Sequence, residues 1–563
     1  MNRFLFLTSL AAFVAVAACT SKQRGPSPQL QHATGTNAAI TADDLRARLT
    51  IFAHDSMAGR ESGTLGNYKA TEYLAAEAER LGLEPAGTNG TYFQTIPLVE
   101  RAVDPASTLA IDGTELDIWS DYAPVPPAGG FMLPIQVGTT GSLDGVQVIF
   151  GGPAGDPDFA LEPEQIAGKL LVLAAPSGSG GSPDSWERYE SAAGIALALL
   201  ERFPPRVIQY MRVPHTAMAD GAAPEGPLTM LVTSDVAARL VGESLASAPV
   251  GSLGVTIEGT FGYTETRPAY AARNVIAILR GSDPALRNEY VAIGAHTDHE
   301  GFSRRPVDHD SLRAFNSVVR PGGAEDRMRP PNDEEQTQID ARLDSLRSLH
   351  SARLDSIMNG ADDDGSGSVA MLEIAEALAA AQEKPRRSIL FVWHTAEEKG
   401  LLGARYFTDN PTVPRAAIVA EINMDMIGRG DAADVENGGP AYLQIIGSRR
   451  LSTELGDLIE AVNEKDGFGF EFDYQYDAEG HPQQFYCRSD HYMYARYGIP
   501  VAFLSTGSHR DYHQVTDEAQ YIDYAKLEKV SKFVLTVSES IADLDHRIVV
   551  DKPRPDPNAP CRQ

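Results

Sequence analysis

The sequence predicts an α/β protein whose main domain is a mostly parallel or mixed sheet sandwiched by helices, with a smaller β-rich domain inserted. After Arg267, short apolar runs typical of buried strands alternate with amphipathic helical segments. Such alternation is typical of a mostly parallel sheet with helices on both faces. Between residues 122 and 258, by contrast, short β-like runs are separated by Gly, Pro and Asp turns. We therefore expect two folding patterns in one chain.

The composition is ordinary for a globular protein, but the charge balance is strongly acidic. The chain has 563 residues, of which 43% are hydrophobic and 22% charged. That length exceeds the usual size of one hydrophobic core, so two domains are expected. The formal net charge of -29 at pH 7 argues against a nucleic-acid partner, because such a field repels phosphates.

The first residues are predicted to be a targeting signal rather than part of the fold. The apolar stretch 4–18 is too short to span a bilayer, which takes about 20 residues. It ends in Val16-Ala17-Ala18-Cys19, which resembles the lipobox of bacterial lipoproteins, where the cysteine is acylated. We expect residues 1–18 to be a lipoprotein signal peptide and Cys19 to carry a lipid anchor. The alternative is an ordinary signal peptide with an incidental cysteine. Either way, the protein is expected in the cell envelope, anchored at the periplasm or outer membrane, or secreted.

The remaining segments follow from local patterns. Residues 19–39 are a Ser-, Pro- and Gln-rich tether, and residues 40–121 begin the main domain with helices over Thr41 to Leu83. Residues 259–545 complete that domain and 546–563 form a tail. The predicted strands of this second part are Asn274 to Leu279, Tyr290 to Gly294, Ser388 to Trp393, Ala417 to Met424 and Pro500 to Leu504, and its clearest helices are Ser368 to Ala380 and Glu454 to Asn463.

A charged insertion at residues 301–358 interrupts this pattern. After Pro330-Pro331, apolar residues and one histidine recur at a heptad-like spacing that predicts one long amphipathic helix: Ile339, Leu343, Leu346, His350, Leu354 and Ile357. The spacing leaves open whether this helix packs on its own domain or on a second subunit.

Two cysteines remain besides Cys19. Cys487 and Cys561 can pair in an oxidising envelope compartment and would then fix the Pro-rich tail. Two free thiols are the equally weighted alternative.

Polar side chains that suit metal chemistry recur at the ends of the predicted elements. They are His296, Asp363, the pair Glu397-Glu398, Asp425 and His513. Each alone has an ordinary explanation, such as a loop histidine or an N-cap aspartate. Together they match the His and carboxylate ligands of catalytic Zn²⁺, at the sheet edge where α/β proteins bind ligands. Two metals about 3.5–4 Å apart need one shared carboxylate and two further ligands each, which is the number present.

The motifs resemble the co-catalytic dizinc aminopeptidase family, metallopeptidase family 28, which also contains glutamate carboxypeptidases and glutaminyl cyclases. The resemblance lies in His-x-Asp at 296–298, Gly-Ala-Asp-Asp-Asp-Gly-Ser-Gly at 360–367, Glu-Glu-x-Gly-Leu-Leu-Gly at 397–403, Asn-Met-Asp-Met-Ile-Gly at 423–428 and Tyr-His at 512–513. It covers roughly Arg267 to Leu544. The region around Gly59-Arg60 is also similar.

The resemblance implies a role for each matching residue. Asp363 would bridge two Zn²⁺, with His296 and Asp425 completing one ion's ligands and Glu398 and His513 the other's. Glu397 would be the general base, taking a proton from a water that both ions hold. Asp298 would orient the ligand histidine, and Tyr512 and Arg488 would steady the tetrahedral intermediate.

The same resemblance extends to the inserted segments. Residues 122–258 resemble the protease-associated domain found in many such enzymes, with Ile166 to Val172 as the most similar piece. The interval between His296 and Asp363 is longer than in compact family members. The inserted helix is therefore placed where it can cover the mouth of the active site.

These observations predict a zinc-dependent exopeptidase, an aminopeptidase that releases N-terminal residues from a peptide substrate. The alternatives are a carboxypeptidase or dipeptidase on the same dizinc core, a glutaminyl cyclase, which needs one zinc, and a non-catalytic envelope binding module. A serine hydrolase is disfavoured because we find no convincing Gly-x-Ser-x-Gly elbow between a strand and a helix. The oligomeric state and the preferred N-terminal residue stay open.

Overall fold

The structure, a computed structural model, describes residues 36–125, 141–156, 161–176, 189–219, 226–349, 351–435 and 437–563. The predicted signal peptide, Cys19 and all but the last four residues of the tether lie outside the described residues. Within the described ranges, every helix is too short or too polar to cross a membrane.

The described helices comprise a pair at the N-terminus, short ones in the β-rich middle of the chain, and a group of short and long ones in its C-terminal half. They are α1 (Ala42–Phe52), α2 (Leu65–Arg80), α3 (Pro163–Ile166), α4 (Pro205–Arg212), α5 (Ser234–Val241), α6 (His309–Val319), α7 (Asp333–Leu349), α8 (Gly367–Ala380), α9 (Leu402–Asp409), α10 (Thr453–Lys465), α11 (His491–Ala495) and α12 (Tyr524–Ala542).

The described strands fall into two large sheets and two small ones. They are β1 (Glu84–Pro85), β2 (Phe93–Thr95), β3 (Leu98–Val103), β4 (Thr108–Ile111), β5 (Thr114–Glu115), β6 (Tyr122–Pro124), β7 (Gly141–Ser142), β8 (Val146–Pro153), β9 (Leu170–Ala174), β10 (Gly194–Ala198), β11 (His215–Met218), β12 (Leu228–Val232), β13 (Leu253–Phe261), β14 (Tyr263–Thr266), β15 (Arg273–Leu279), β16 (Tyr290–His296), β17 (Gly301–Asp308), β18 (Leu354–Met358), β19 (Ser388–His394), β20 (Ile418–Met424), β21 (Tyr442–Ile446), β22 (Glu471–Asp473) and β23 (Val501–Ser505).

The first large sheet is mixed, with a parallel centre. Its described strands run in the order β1-β15-β19-β16-β20-β23-β21-β22, with β2 on β15. The four central strands β19, β16, β20 and β23 are parallel to one another, whereas β15 runs antiparallel to β19 and β21 runs antiparallel to β23. All five predicted strands are present within one or two residues. Side chains of the central strands are buried throughout, which explains why their sequences read as continuous apolar runs.

Two groups of helices cover this sheet. In the first, α1, α8 and α12 pack against one another, and α8 and α12 contact β16. In the second, α9 and α11 pack against each other, and they contact β15, β20 and β23. The sequence prediction of an α/β fold with a mostly parallel or mixed sheet is confirmed.

The second large sheet forms the β-rich lobe. Its described strands run β5-β4-β13-β8-β9-β10-β12-β6, with β7 on β13. Alternate side chains of β9 and β10 belong to two separate apolar clusters, one on each face. Because β4 and β13 pair along Thr108 to Ile111, the sheet extends beyond the predicted segment 122–258 at both ends.

The insertion 301–358 differs from its prediction. Helix α7 ends at Leu349, and Leu354 and Ile357 belong to β18, which pairs with β17. Apolar spacing alone does not distinguish a helix from a strand over a few residues, and pairing with β17 makes this segment a strand. His350 lies outside the described residues. Ile339, Leu343 and Leu346 pack on Ala314 and Val319 of α6, so α7 packs within its own insertion.

The two late cysteines are bonded. The disulfide Cys487–Cys561 joins the C-terminal tail to the loop before α11. The carboxamide of Gln563 accepts a hydrogen bond from the backbone N–H of Tyr486. The prediction that left pairing and free thiols equally weighted is therefore resolved in favour of the disulfide.

Candidate active site

The predicted site residues meet at one edge of the first sheet. His296 is the last residue of β16, Glu397 and Glu398 follow β19, Asp425 follows β20, and His513 lies in the loop after β23. These four strands are parallel neighbours, so their carboxyl ends lie at the same edge. Ligands bind at this edge in α/β sheets.

Asp363 lies between two groups of donors. Its Oδ1 atom is 3.1 Å from Nε2 of His296, which in turn is 3.5 Å from Oδ1 of Asp425. Its Oδ2 atom is 3.0 Å from Nε2 of His513, which is 3.1 Å from Oε2 of Glu398. The two oxygens of one carboxylate thus face different ligand groups. This is the arrangement that a bridging ligand requires.

A sixth candidate ligand, His299, was missed in the sequence. Its Nδ1 atom lies 2.8 Å from Oε1 of Glu398 and 3.7 Å from Oδ2 of Asp363. The donor atoms of His299, Asp363, Glu398 and His513 all lie within 4.8 Å of one another, as do those of His296, Asp363 and Asp425. The available signal was the second histidine of His296-Thr297-Asp298-His299, three residues beyond a predicted ligand.

The three consecutive aspartates before α8 have three different partners. Asp362 accepts hydrogen bonds from the backbone N–H of Gly428 at 2.7 Å and contacts His509 at 3.1 Å. Asp364 accepts the backbone N–H of His296 at 3.0 Å. Only Asp363 faces the donor groups. Its neighbours tie its loop to the ends of β16 and β20.

Further residues hold this loop from outside. Asp517 accepts the backbone N–H groups of Asp362 and Asp363 at 3.0 and 3.1 Å. The fully buried Arg60 donates to the carbonyl oxygens of Thr297 at 3.0 Å and Gly360 at 2.7 Å. Arg60 therefore fixes the segment after His296 relative to the segment before Asp363. Sequence patterns gave no indication of the role of Asp517, because its partners are backbone groups.

Asp298 is placed differently from the prediction. Nδ1 of His296 is 3.1 Å from the carbonyl oxygen of Asp298 and 3.9 Å from its carboxylate. The carboxylate instead accepts the backbone N–H of Glu397 at 3.1 Å. Asp298 therefore orients the histidine through its main chain and positions Glu397 through its side chain.

The predicted catalytic residues share one pocket with the ligands. The pocket is lined by Asp363, Glu397, Glu398, Asp425, Met426, Phe485, Arg488, Ser489, Phe503, Ser505, Ser508, Tyr512 and His513. Oε2 of Glu397 lies 4.0 Å from Nε2 of His296. The guanidinium of Arg488 donates to the Tyr512 hydroxyl at 3.2 Å and also pairs with Glu325 of the insertion.

The electrostatics of the pocket favour a bound cation. Burial raises the pKa of Glu397, and the charges of Glu398 and Asp425 raise it further against the opposing effect of His296. Burial also raises the pKa of Asp425. The Nε2 atom of His296 is buried and faces two carboxylates. No described residue forms a hydrogen bond of acceptable geometry with it. A buried ring nitrogen that faces two carboxylates in this way suits a metal ligand.

Comparison with known proteins assigns the segment that carries these residues. Residues 274–538 match the family model for peptidase family M28. Leupeptin-inactivating enzyme 1 from Streptomyces exfoliatus is 34% identical to this chain, over 30% of the chain and 34% of that protein. An aminopeptidase from Pseudomonas aeruginosa is 34% identical, over 40% of the chain and 48% of that protein. The chain thus spans a third to a half of the length of these relatives.

Solved structures show a weaker likeness. An aminopeptidase from Aneurinibacillus sp. strain AM-1 superposes with a TM-score of 0.48 and 15% identity, over 91% of this chain and 97% of that one. That score is too low to support a conclusion about this chain. The match to the family model and the sequence relatives do not depend on this superposition. The matched segment contains both donor groups and Glu397. Residues 274–538, the part of the chain that carries the candidate site, thus match peptidase family M28.

Proposed function

We propose that the protein is a zinc-dependent aminopeptidase that uses two Zn²⁺ ions to hydrolyse the first peptide bond of its substrates. The observation that carries the proposal is the division of the Asp363 carboxylate between the His296 and His513 groups. Both groups contain only imidazole and carboxylate donors, which are the ligands of catalytic zinc.

The residues of the site would act as follows. His296, Asp363 and Asp425 would hold one ion, and Asp363, Glu398 and His513 would hold the other. Bound zinc lowers the pKa of a coordinated water and polarises a carbonyl. Glu397 takes the proton of the attacking water and delivers it to the leaving amine. Its backbone N–H donates to the Asp298 carboxylate, which fixes the main chain of Glu397 beside the ligands.

Two donors at the pocket wall would stabilise the developing charge. Tyr512 and Arg488 lie together beside the ligands. Their O–H and N–H groups can donate to the oxyanion of the tetrahedral intermediate. Because burial raises the pKa of Tyr512, its hydroxyl stays protonated and remains a donor at neutral pH.

The charge of the pocket supports an aminopeptidase over a carboxypeptidase. Four carboxylates line it, whereas its arginine, Arg488, is already paired with Glu325. The four carboxylates would be balanced by two bound Zn²⁺ ions, but with Arg488 paired, the described lining contains no unpaired arginine or lysine to bind a free C-terminal carboxylate. The Pseudomonas aeruginosa relative is an aminopeptidase, which agrees with this choice.

A pair of blocked peptides tests the proposal. We expect peptides with a free N-terminus and an amidated C-terminus to be hydrolysed, and N-acetylated peptides with a free C-terminus to be rejected. The opposite preference would identify a carboxypeptidase. Cyclisation of an N-terminal glutamine with one bound zinc per chain would identify a glutaminyl cyclase. Failure of both peptides to react with a zinc-loaded protein would favour a binding module.

The location and the accessory lobe belong to the same proposal. Cys19 would carry the lipid anchor that holds the enzyme in the bacterial cell envelope, and the lobe around residues 122–258 would be a protease-associated domain. A Cys19→Ser variant expressed with its own leader tests the anchor. We expect the variant in the soluble fraction and the unchanged protein in the membrane fraction. Equal partition of the two would contradict the anchor.

A further inference from the structure

We propose that His299 is a metal ligand, so that the two metal sites are unequal: one has four protein donors and the other has three. This inference rests on the proposed function, because it takes the pocket to hold metal. It goes beyond the ligand set of the sequence analysis, in which each ion has two ligands of its own. The structure describes the side chain of every residue in both donor groups.

The distances between the donor atoms support His299 as a ligand. Zinc bonds to nitrogen and oxygen are about 2.0–2.2 Å long, so donors around one tetrahedral ion lie roughly 3.3–3.5 Å apart. In the larger group, Nδ1 of His299 is 2.8 Å from Glu398 and 3.7 Å from Asp363, and Nε2 of His513 is 3.1 and 3.0 Å from the same two carboxylates. These separations of 2.8 to 3.7 Å span the range expected around one ion, and one donor atom from each of the four residues lies within 4.8 Å of the other three.

The position of His299 is fixed by its surroundings. Its side chain is completely buried, and its ring packs edge-on against His513, with centroids 5.4 Å apart. Gly360 lies on its other side with a positive φ of 55°, and a Cβ there would come within 2.5 Å of the ring. The absence of a side chain at Gly360 therefore lets the imidazole pack against the loop that carries Asp363.

The consequence is a division of labour between the sites. Four protein donors close the usual tetrahedral set of zinc, whereas three leave one position open, so the water expected between the two ions would be held mainly by the three-donor ion. The three-donor group contains His296, and Glu397 lies 4.0 Å from Nε2 of His296. The general base is thus next to the open site. The closed site would bind its ion more tightly and hold Asp363 in place.

Zinc titration of the metal-free full-length protein by calorimetry tests the inference without measuring activity. We expect two steps of one equivalent each with unequal affinities. His299→Ala should weaken the tighter step by more than about 100-fold, because even outer contacts of a zinc ligand contribute about 10- to 100-fold. The weaker step should change little. His296→Ala, the matched control, should weaken the other step instead.

A second variant separates a ligand from a positioning residue. In His299→Asn the amide nitrogen occupies about the place of Nδ1 and can still donate to Glu398, but it cannot bind zinc. We expect the His299→Asn variant to bind zinc as weakly as the His299→Ala variant. Tight binding restored by asparagine, or a tight step that His299→Ala leaves unchanged, would overturn the inference while leaving the proposed function intact. Unchanged protein that binds no zinc would overturn both.

Discussion

At the scale of single residues, adjacent Glu397 and Glu398 have separate environments. Glu398 contacts two histidines at 2.8 and 3.1 Å, which would hold it as a ligand. Glu397 has no such contact within the described residues and lies 4.0 Å from His296. Both residues lie in the turn after β19, outside the strand itself, and their carboxylates have different neighbours.

Replacing the proposed base tests its role directly. We expect Glu397→Gln to keep its metal and to lose about 10²- to 10⁴-fold in turnover, the usual contribution of a general base. Metal content and kcat are measured on the same preparation. Near-full activity with normal metal content would remove Glu397 from this role.

Replacing the shared carboxylate has a different consequence. We expect Asp363→Ala to lose metal from both sites, because both donor groups use this side chain. Asp364→Asn, a neighbouring variant that retains an oxygen acceptor for the N–H of His296, should keep more metal. Metal analysis after dialysis distinguishes them. Equal retention in both variants would contradict a bridging role for Asp363.

Residue type and position indicated the candidate donors better than the residues that support them. The spatial grouping could be expected for His296, Asp363, Glu398, Asp425 and His513 because each lies at or near the end of a recognisable element. His299 was not predicted as a ligand. Two histidines three residues apart at a strand end do not indicate whether both side chains face the site. Asp517 and Arg60 act through backbone groups of distant segments. Such contacts follow from the fold and leave no local pattern.

At the scale of elements, the insertion 301–358 supports the pocket wall. Its turn at Gly323 to Glu325 lies against the loop of Tyr512, where the N–H of Ala324 donates to the Tyr512 carbonyl at 3.1 Å. Glu325 also pairs with Arg488. The insertion therefore neutralises the arginine of the pocket.

Removing that charge should change substrate preference. In Glu325→Gln, Arg488 loses its counter-charge, and we expect KM to fall about fivefold for dipeptides, whose C-terminal carboxylate is near the site, relative to dipeptide amides. Glu335→Gln is the matched control, because Glu335 pairs with Arg329 of the same insertion outside the pocket lining. An equal change in both variants would contradict a local effect at Arg488.

The insertion also shows where hydrophobic periodicity fails to predict secondary structure. Helix α7 was predicted because Ile339, Leu343 and Leu346 recur at helical spacing, and they pack on α6. The same spacing extended to Leu354 and Ile357, which lie in a strand. Apolar spacing alone cannot distinguish the two structures over a few residues, and the partner strand β17 is far away in sequence.

At the scale of the whole molecule, the sequence predicted the main sheet more closely than the boundary of the second. Its central strands are buried apolar runs that can be recognised one at a time. The β-rich lobe begins earlier than predicted because β4, in a segment assigned to the main domain, pairs with β13 more than a hundred residues later. Pairing between such distant strands has no local signal.

The buried His491 should make the fold sensitive to acid. It is fully buried and stacks on Phe503 at 4.8 Å. Burial and the charge of Arg450 lower its pKa from 6.5 to about 3. Below about pH 6.5 the unfolded chain binds a proton that the folded chain excludes, so the free energy of unfolding decreases as the pH falls toward 3.

The variant His491→Phe removes this titration. With metal removed by a chelator, we expect it to lose about 2 kcal/mol less stability than the unchanged protein between pH 6.5 and 4.5, measured by urea unfolding. Exposed His546, whose pKa is raised by Asp545 and Glu454, should give the opposite sign in His546→Phe. Parallel pH profiles for His491→Phe and the unchanged protein would contradict the assignment.

The central claim is that residues from four strand ends and one loop hold two zinc ions on a shared Asp363. Zinc analysis by mass spectrometry of the dialysed full-length protein tests it most directly. The account predicts two zinc ions per unchanged chain and a loss of both in Asp363→Ala. A folded, unchanged chain that retains less than one zinc ion, or an Asp363→Ala chain that retains two, would contradict it.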